Sequence, residues 1–90
     1  MSVLIVNYEL KNRANDYSSL FNAIKDNSLE WWHFMEHTWI VVTGHSPDQF
    51  AKFLYPHIMN TDHLLVAKLD RDHQGWLPEE AWNWLNSKQY

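Results

Sequence analysis

The chain has 90 residues, 46% of them hydrophobic, and seven Lys and Arg against eleven Asp and Glu give a net charge of −4. This length predicts one domain, spanning residues 1–90, and the apolar fraction excludes a disordered chain. The acidic balance gives no general attraction to nucleic acids or anionic membranes, and the absence of cysteine excludes disulfides, thiolate metal sites and thiol nucleophiles.

The first half of the chain predicts a strand, a helix and a β-hairpin. Val3–Tyr8 is an almost unbroken apolar and β-branched run, which is typical of a strand covered on both faces. Apolar residues then recur at helical spacing between 17 and 24. The aromatic and β-branched residues that follow indicate two strands, 30–36 and 38–43, joined by a turn near Glu36–Thr38.

The second half of the chain predicts a helix, a strand and a short C-terminal helix. Ser46–Gln49 carries the signature of a capping box, with a proline in the first turn of the helix that it begins. His63–Leu69 is an apolar run of strand length, and 77–85 has the pattern of a short helix. The order β-α-β-β-α-β plus a C-terminal helix predicts an α+β, ferredoxin-like domain with a four-stranded antiparallel sheet and its first two helices on one face.

Both faces of this sheet are expected to be covered. Because the first and fourth strands are apolar throughout, we expect the second face to be covered by the C-terminal helix, by a partner subunit or by both. Closed two-fold dimers are the commonest oligomers, so a homodimer is expected. The residues predicted to be largely buried are Leu4, Val6, Leu20, Phe21, Ile24, Ile40, Phe50, Phe53, Leu54 and Val66.

Three tryptophan-rich and polar segments together resemble a known group of small proteins. They are Asn7–Leu10 with Asp16, Tyr17 and Leu20, then Trp31–His33 with Thr38 and Trp39, and finally Gly75–Trp82. This set resembles the SinR-like family of small bacterial and phage proteins, which is distantly similar to the small CRISPR-associated adaptation protein and to virulence-associated protein D. The resemblance spans nearly the whole chain. It implies a ferredoxin-like protomer that works as a homodimer, with sheet faces packed near the two-fold axis.

The same resemblance singles out the end of the first strand. In the CRISPR relatives a Tyr-Asp pair stands there, and its Asp, one from each subunit, is the proposed ligand of a divalent metal in nucleic-acid cleavage. The corresponding residues here are Tyr8 and Glu9, which implies Glu9 as catalytic carboxylate and ligand of Mg²⁺ or Mn²⁺. Lys11 and Arg13 are the candidate phosphate contacts. Glu in place of Asp, and the lack of Lys and Arg between 16 and 24, depart from the pattern of those relatives.

Three functions are open at this point. We favour a cytoplasmic homodimeric interaction or regulatory module, for which no cofactor and no membrane partner are expected. A protein is one option for its partner, and nucleic acid is left open. The first alternative is a Mg²⁺- or Mn²⁺-dependent endonuclease or toxin-like ribonuclease that uses Glu9 from both subunits. The second alternative is single-stranded RNA binding on an aromatic sheet face, although Glu30 and Glu36 flank the aromatic segment where cations would be needed.

The N-terminal apolar run ends at Asn7, too early for a membrane span.

Overall fold

A computed structural model describes residues 1–12 and 14–90, and this part of the chain forms four strands and three α-helices. The strands are β1 (Ser2–Glu9), β2 (Glu30–Met35), β3 (Thr38–Thr43) and β4 (His63–Leu69). The helices are α1 (Ser18–Asp26), α2 (Pro47–Leu54), which a 3₁₀ turn (Tyr55–His57) extends, and α3 (Glu79–Asn86). The protein is therefore of the α+β class. No helix in the described residues has both the length and the apolarity needed to cross a membrane.

The four strands form one antiparallel sheet in the order β2-β3-β1-β4. β1 lies in the interior of the sheet between β3 and β4, which explains why nearly every one of its residues is apolar. β2 and β4 are the two edges. The pairing places Thr38, Asn7 and Leu65 side by side across three strands, so their side chains lie on one face.

Helices α1 and α2 cover the first face of the sheet. Their apolar stripes meet the even-numbered residues of β1 and the odd-numbered residues of β3 in the larger of two buried clusters. The buried members of this cluster are Leu4, Val6, Tyr8, Tyr17, Leu20, Ile24, Trp39, Val41, Phe50 and Leu54. Most of the predicted core therefore lies between the sheet and these two helices, as expected.

Helix α3 packs on the second face of the sheet. Ala81 and Leu85 of α3 form a smaller buried cluster with Val3, Trp32 and Ile40. The C-terminal helix is therefore at least one of the elements that cover this face.

An ion pair attaches the end of the chain to the edge of the sheet on the same side. Lys88 Nζ lies 2.5 Å from the Glu30 carboxylate of β2 and 4.6 Å from the ring centroid of Trp84. The Lys88 side chain is largely buried by these contacts, so the pair fixes the segment after α3 against β2.

The start of α2 confirms the predicted capping box. The Ser46 hydroxyl accepts a hydrogen bond from the Gln49 backbone N–H at 3.2 Å, and the Gln49 side-chain oxygen accepts one from the Ser46 N–H at 3.0 Å. Two backbone donors at the helix start are thereby satisfied, which makes residue 47 a strong helix boundary. The hairpin is also near its predicted position, since β2 ends at Met35 and β3 begins at Thr38.

The prediction that Phe53 is buried was wrong. Phe53 is 39% exposed, and its ring lies edge-on to the His45 imidazole with centroids 4.8 Å apart. Phe50 and Leu54, one helical turn apart, are the residues of α2 that are buried in the larger cluster, and Phe53 lies outside it. Phe21 and Val66 are half-buried at the margin of the same cluster rather than inside it.

Candidate functional site at the end of strand β1

Glu9, the predicted catalytic residue, lies at the rim of the sheet. It is the last residue of β1 and pairs with His63, the first residue of β4. Alternation along the strand places it on the second face, the side of α3. Its side chain is 65% exposed, so a ligand or a second subunit has access to the carboxylate.

The structure brings one of the two predicted phosphate contacts to Glu9. Lys11 Nζ lies 3.2 Å from the Glu9 carboxylate, and half of the Lys11 side chain is exposed. An exposed pair of this kind contributes between 0 and about 1 kcal/mol. Arg13, the other predicted phosphate contact, lies outside the described residues.

Tyr8 and Glu9 point to opposite sides of the sheet. Tyr8 is buried under α1, where its hydroxyl accepts a hydrogen bond from Trp39 Nε1 at 3.0 Å and contacts the Glu36 carbonyl at 3.3 Å. Burial raises the pKa of the Tyr8 hydroxyl, and the hydrogen bond from Trp39 offsets this increase only in part. Tyr8 is thus a core residue, and the Tyr-Glu dipeptide does not form a single site within one chain.

The donor set around Glu9 is small. A shallow depression of about 220 Å³ contains Glu9 and His63, with Asn7 and Leu65 beside them. Across residues 1–12 and 14–90, no three His, Asp or Glu side chains lie close enough to hold one metal ion. Mg²⁺ prefers several oxygen ligands, so Glu9 of one chain supplies one protein ligand, and further ligands would be waters or come from a second subunit.

A carboxylate that the sequence analysis missed lies beneath this site. Asp62 is only 7% exposed, and its oxygens accept hydrogen bonds from the Lys11 N–H at 2.8 Å, the Tyr17 hydroxyl at 2.8 Å and the Met59 N–H at 2.9 Å. Burial alone would raise the pKa of Asp62, but these donors outweigh it and hold the pKa below its ordinary value. Asp62 thereby fixes the loop that carries Lys11. Its only sequence signal was an acid directly before a strand.

Helix α3 leaves one end of the second sheet face uncovered. We call this surface the open face and define it by Ile5, Asn7, Met35, Leu65 and Ala67. Leu65 is 67% and Met35 40% exposed, while Ile5 and Ala67 are half-buried. Asn7 is exposed and donates a hydrogen bond to the Thr38 hydroxyl at 2.7 Å. The open face is thus largely apolar, with a single polar group at its centre.

The open face continues to the β4 edge of the sheet. β4 pairs with β1 over seven consecutive residues without a register shift, and its other edge has no partner among the described residues. The opposite edge differs, because the pairing of β2 with β3 shifts between Trp32 and Met35. A long, regular and mostly apolar edge is a template for pairing with another strand, whereas an irregular edge is a poor one.

The tryptophans do not form one open platform. Trp31 and His33 pack on the buried Trp39 on the helix side of the sheet, with ring centroids 5.2 and 4.0 Å away. Trp32, their neighbour in β2, is buried on the other side under α3. Stacking of successive bases needs several exposed rings on one surface, so this distribution does not favour RNA binding by the sheet.

Comparison with known proteins finds no match for this chain. No family model and no curated protein matches the sequence, and no solved structure matches the fold. The similarity to the SinR-like family stays a prediction.

Proposed function

We propose that the protein is a small cytoplasmic homodimer of the SinR-like group, with a ferredoxin-like protomer, that serves as an interaction or regulatory module. Read from the β4 edge, the strand order is β4-β1-β3-β2, and helices α1 and α2 lie on one face of the sheet. This strand order and this placement of the helices support the ferredoxin-like assignment. The observation that carries the proposal is the regular, apolar β4 edge beside the open face.

A second copy of the chain fits this edge. The proposed dimer therefore joins the two protomers at their β4 edges, which differs from the packed sheet faces that the family resemblance implies. Two β4 strands related by a two-fold axis at Val66 would run antiparallel and join the two sheets into one. In this register Leu65 faces Ala67 of the other copy, and Lys68 faces Leu64. The two copies of Lys68 therefore do not lie opposite each other. Apolar cross-strand pairs of this type stabilise a sheet, while like charges directly opposite would destabilise it.

This arrangement separates the two Glu9 carboxylates. Three strand spacings lie between the two copies of β1, and Glu9 is three residues from the axis along each strand. With about 4.8 Å between strands and 3.3 Å per residue, the two carboxylates are on the order of 25 Å apart. A shared metal ion needs ligands within about 2.6 Å of it. The edge dimer therefore favours the interaction module over the metal-dependent nuclease.

Sedimentation of matched variants tests the proposal. We expect the wild-type chain to sediment at twice 10.8 kDa at micromolar concentration. Leu65→Lys should give the monomer, because it places a charge in the paired edge. Leu29→Lys is the control, since Leu29 is 64% exposed, almost as much as Leu65, but lies outside the open face. A monomeric wild type, or an unchanged dimer in Leu65→Lys, would contradict the proposal.

A single cysteine tests the register. The chain has no native cysteine, so Val66→Cys introduces the only thiol. At a two-fold axis the two thiols face each other, and oxidation should give a disulfide-linked dimer. Ser18→Cys on the exposed start of α1 is the control and should stay uncrosslinked. Crosslinking of both variants to the same extent would show random collision instead of the proposed edge.

A further inference from the structure

A groove of about 400 Å³ lies between the turn that follows β4 and the C-terminal end of the chain. It is on the α3 side of the sheet and is separate from the depression at Glu9. Three kinds of side chain line it: planar rings, neutral amides and cations. This combination differs from the apolar open face and calls for a ligand that is partly aromatic and partly anionic.

Three rings lie side by side in the groove. The His73 imidazole is nearly parallel to the Trp82 indole, at 7° with centroids 6.3 Å apart. The Tyr90 ring lies 5.2 Å from the His73 ring and is tilted by 50° to it, so it presents a separate face to a ligand. Two hydrogen bonds hold this arrangement, one between His73 Nδ1 and the Asp70 carbonyl at 2.5 Å and one from the Tyr90 hydroxyl to the Leu85 carbonyl at 2.7 Å. Rings held in place in this way lose little freedom when a planar ligand stacks on them.

Two amides are available beside the rings. The Gln74 side-chain oxygen accepts a hydrogen bond from the Gly75 N–H at 3.0 Å, which leaves its NH₂ group to donate. The Asn86 side chain is exposed and makes no hydrogen bond with any described residue. Asn and Gln amides present donors and an acceptor in one plane, the pattern that matches the edge of a nucleobase.

One cation in the groove is free to bind an anion. Asp70 and Asp72 flank Arg71 in the sequence, yet among the described residues no carboxylate lies within 4.0 Å of its guanidinium. The second cation, Lys88, is already paired with Glu30. A guanidinium binds phosphate through two parallel hydrogen bonds, so Arg71 is the natural phosphate ligand here.

We propose that this groove binds a nucleotide unit, with the base stacked on Tyr90 beside the tilted His73 ring, its edge at Gln74 and Asn86, and its phosphate on Arg71. The two sources of such a unit are a free mononucleotide and a single-stranded nucleic acid. The site does not depend on dimerisation, so its failure and the failure of the proposed edge dimer are distinguishable.

Calorimetric titration of the full chain with AMP tests the site. For a ligand of this size we expect a Kd between roughly 10 µM and 1 mM. Adenosine should bind at least about tenfold more weakly than AMP because it lacks the phosphate. Inorganic phosphate alone should bind more weakly than AMP because it lacks the base. The Trp82 indole N–H resonance should shift on titration, whereas that of Trp39, buried on the other face, should not.

Matched variants separate a specific site from general charge attraction. Arg71→Gln should weaken AMP binding at least about tenfold. Lys52→Gln removes the same charge on α2, away from the groove, and should leave binding unchanged. Tyr90→Ala should weaken binding about fivefold or more through lost stacking.

The remaining outcomes either identify the source or overturn the proposal. A short oligoadenylate that binds more tightly than AMP supports a strand as the natural source, and equal or weaker binding supports the free nucleotide. The absence of saturable binding at AMP concentrations up to ten times the upper end of the expected Kd range overturns the proposal. Equal affinity for adenosine and AMP, equal affinity for phosphate and AMP, or unchanged binding in Arg71→Gln overturns it as well.

Discussion

The Tyr17 hydroxyl donates a hydrogen bond to the Asp62 carboxylate at 2.8 Å, and this bond joins the start of α1 to the start of β4. The same carboxylate accepts the backbone N–H of Lys11, so three separate segments meet at one buried anion. A buried carboxylate whose oxygens accept several hydrogen bonds stabilises the fold only while it is ionised. The loop beside Glu9 therefore depends on the charge of a residue that is 51 positions away from Lys11 in the sequence.

Replacing Asp62 by Asn should destabilise the protein. An amide NH₂ would face donors that the carboxylate now accepts from, at a cost on the order of 2 kcal/mol. Chemical unfolding with matched m-values measures this loss. Asp26→Asn is the control, since Asp26 is an exposed acid at the end of α1, and its unfolding midpoint should change little. Equal stability of the Asp62 variant and wild type would contradict the role given to this carboxylate.

The stability of the wild type should fall in acid partly because of Asp62. Its pKa in the folded state lies below its ordinary value, so its contribution is complete above the unfolded pKa of about 3.9 and is lost as pH falls through the folded pKa. Unfolding curves between pH 7 and acid should therefore show a shallower decline for Asp62→Asn than for wild type. Parallel pH profiles of the two proteins would contradict this assignment.

Two phenylalanines of α2 should respond very differently to truncation. Phe50→Ala removes a fully buried ring between α2 and the sheet and should cost about 3–5 kcal/mol. Phe53→Ala removes a ring that is 39% exposed and should cost about 1 kcal/mol. Each variant is the control for the other, because both remove the same atoms from one helix. Similar losses of unfolding free energy would mean that α2 presents a different face to the sheet.

Truncation in α3 should show that the second sheet face belongs to the folded core. Leu85 packs against Val3, Trp32 and Ile40, and Leu85→Ala should cost about 2–5 kcal/mol. Trp76 is the matched exposed position, fully open to solvent, and Trp76→Ala should leave the thermal midpoint nearly unchanged. A small effect of Leu85→Ala would instead make α3 a loosely attached segment.

Glu9 should be dispensable for folding, and we expect little or no cleavage of RNA or DNA by the wild type in Mg²⁺ or Mn²⁺. Its carboxylate is exposed and paired with Lys11, so Glu9→Gln should change stability by less than about 1 kcal/mol. Incubation of matched preparations with single- and double-stranded substrates measures cleavage. Metal-dependent cleavage by wild type that disappears in Glu9→Gln would establish the nuclease and reject the interaction module.

The strands and helices of this fold are predictable from local sequence patterns, but the residues of the candidate site are predictable only in part. Val3–Tyr8 and Ser46–Gln49 predicted an interior strand and a capping box because their signals are carried by adjacent residues. Asp62 could not be found in this way, since two of its three donors, on Lys11 and Tyr17, are 51 and 45 positions away in the sequence. The burial of Phe53 was misjudged because the apolar stripe of a two-turn helix is wider than its contact with the sheet.

The register shift in β2 has a consequence for how large an assembly of this chain can grow. Each molecule offers one smooth edge, at β4, and one interrupted edge, at β2. In the proposed edge dimer, pairing of the two β4 strands would occupy the β4 edge of both copies, and only the interrupted β2 edges would face outward. Growth would then stop at two copies, whereas a chain with two regular edges would extend into an open-ended fibre.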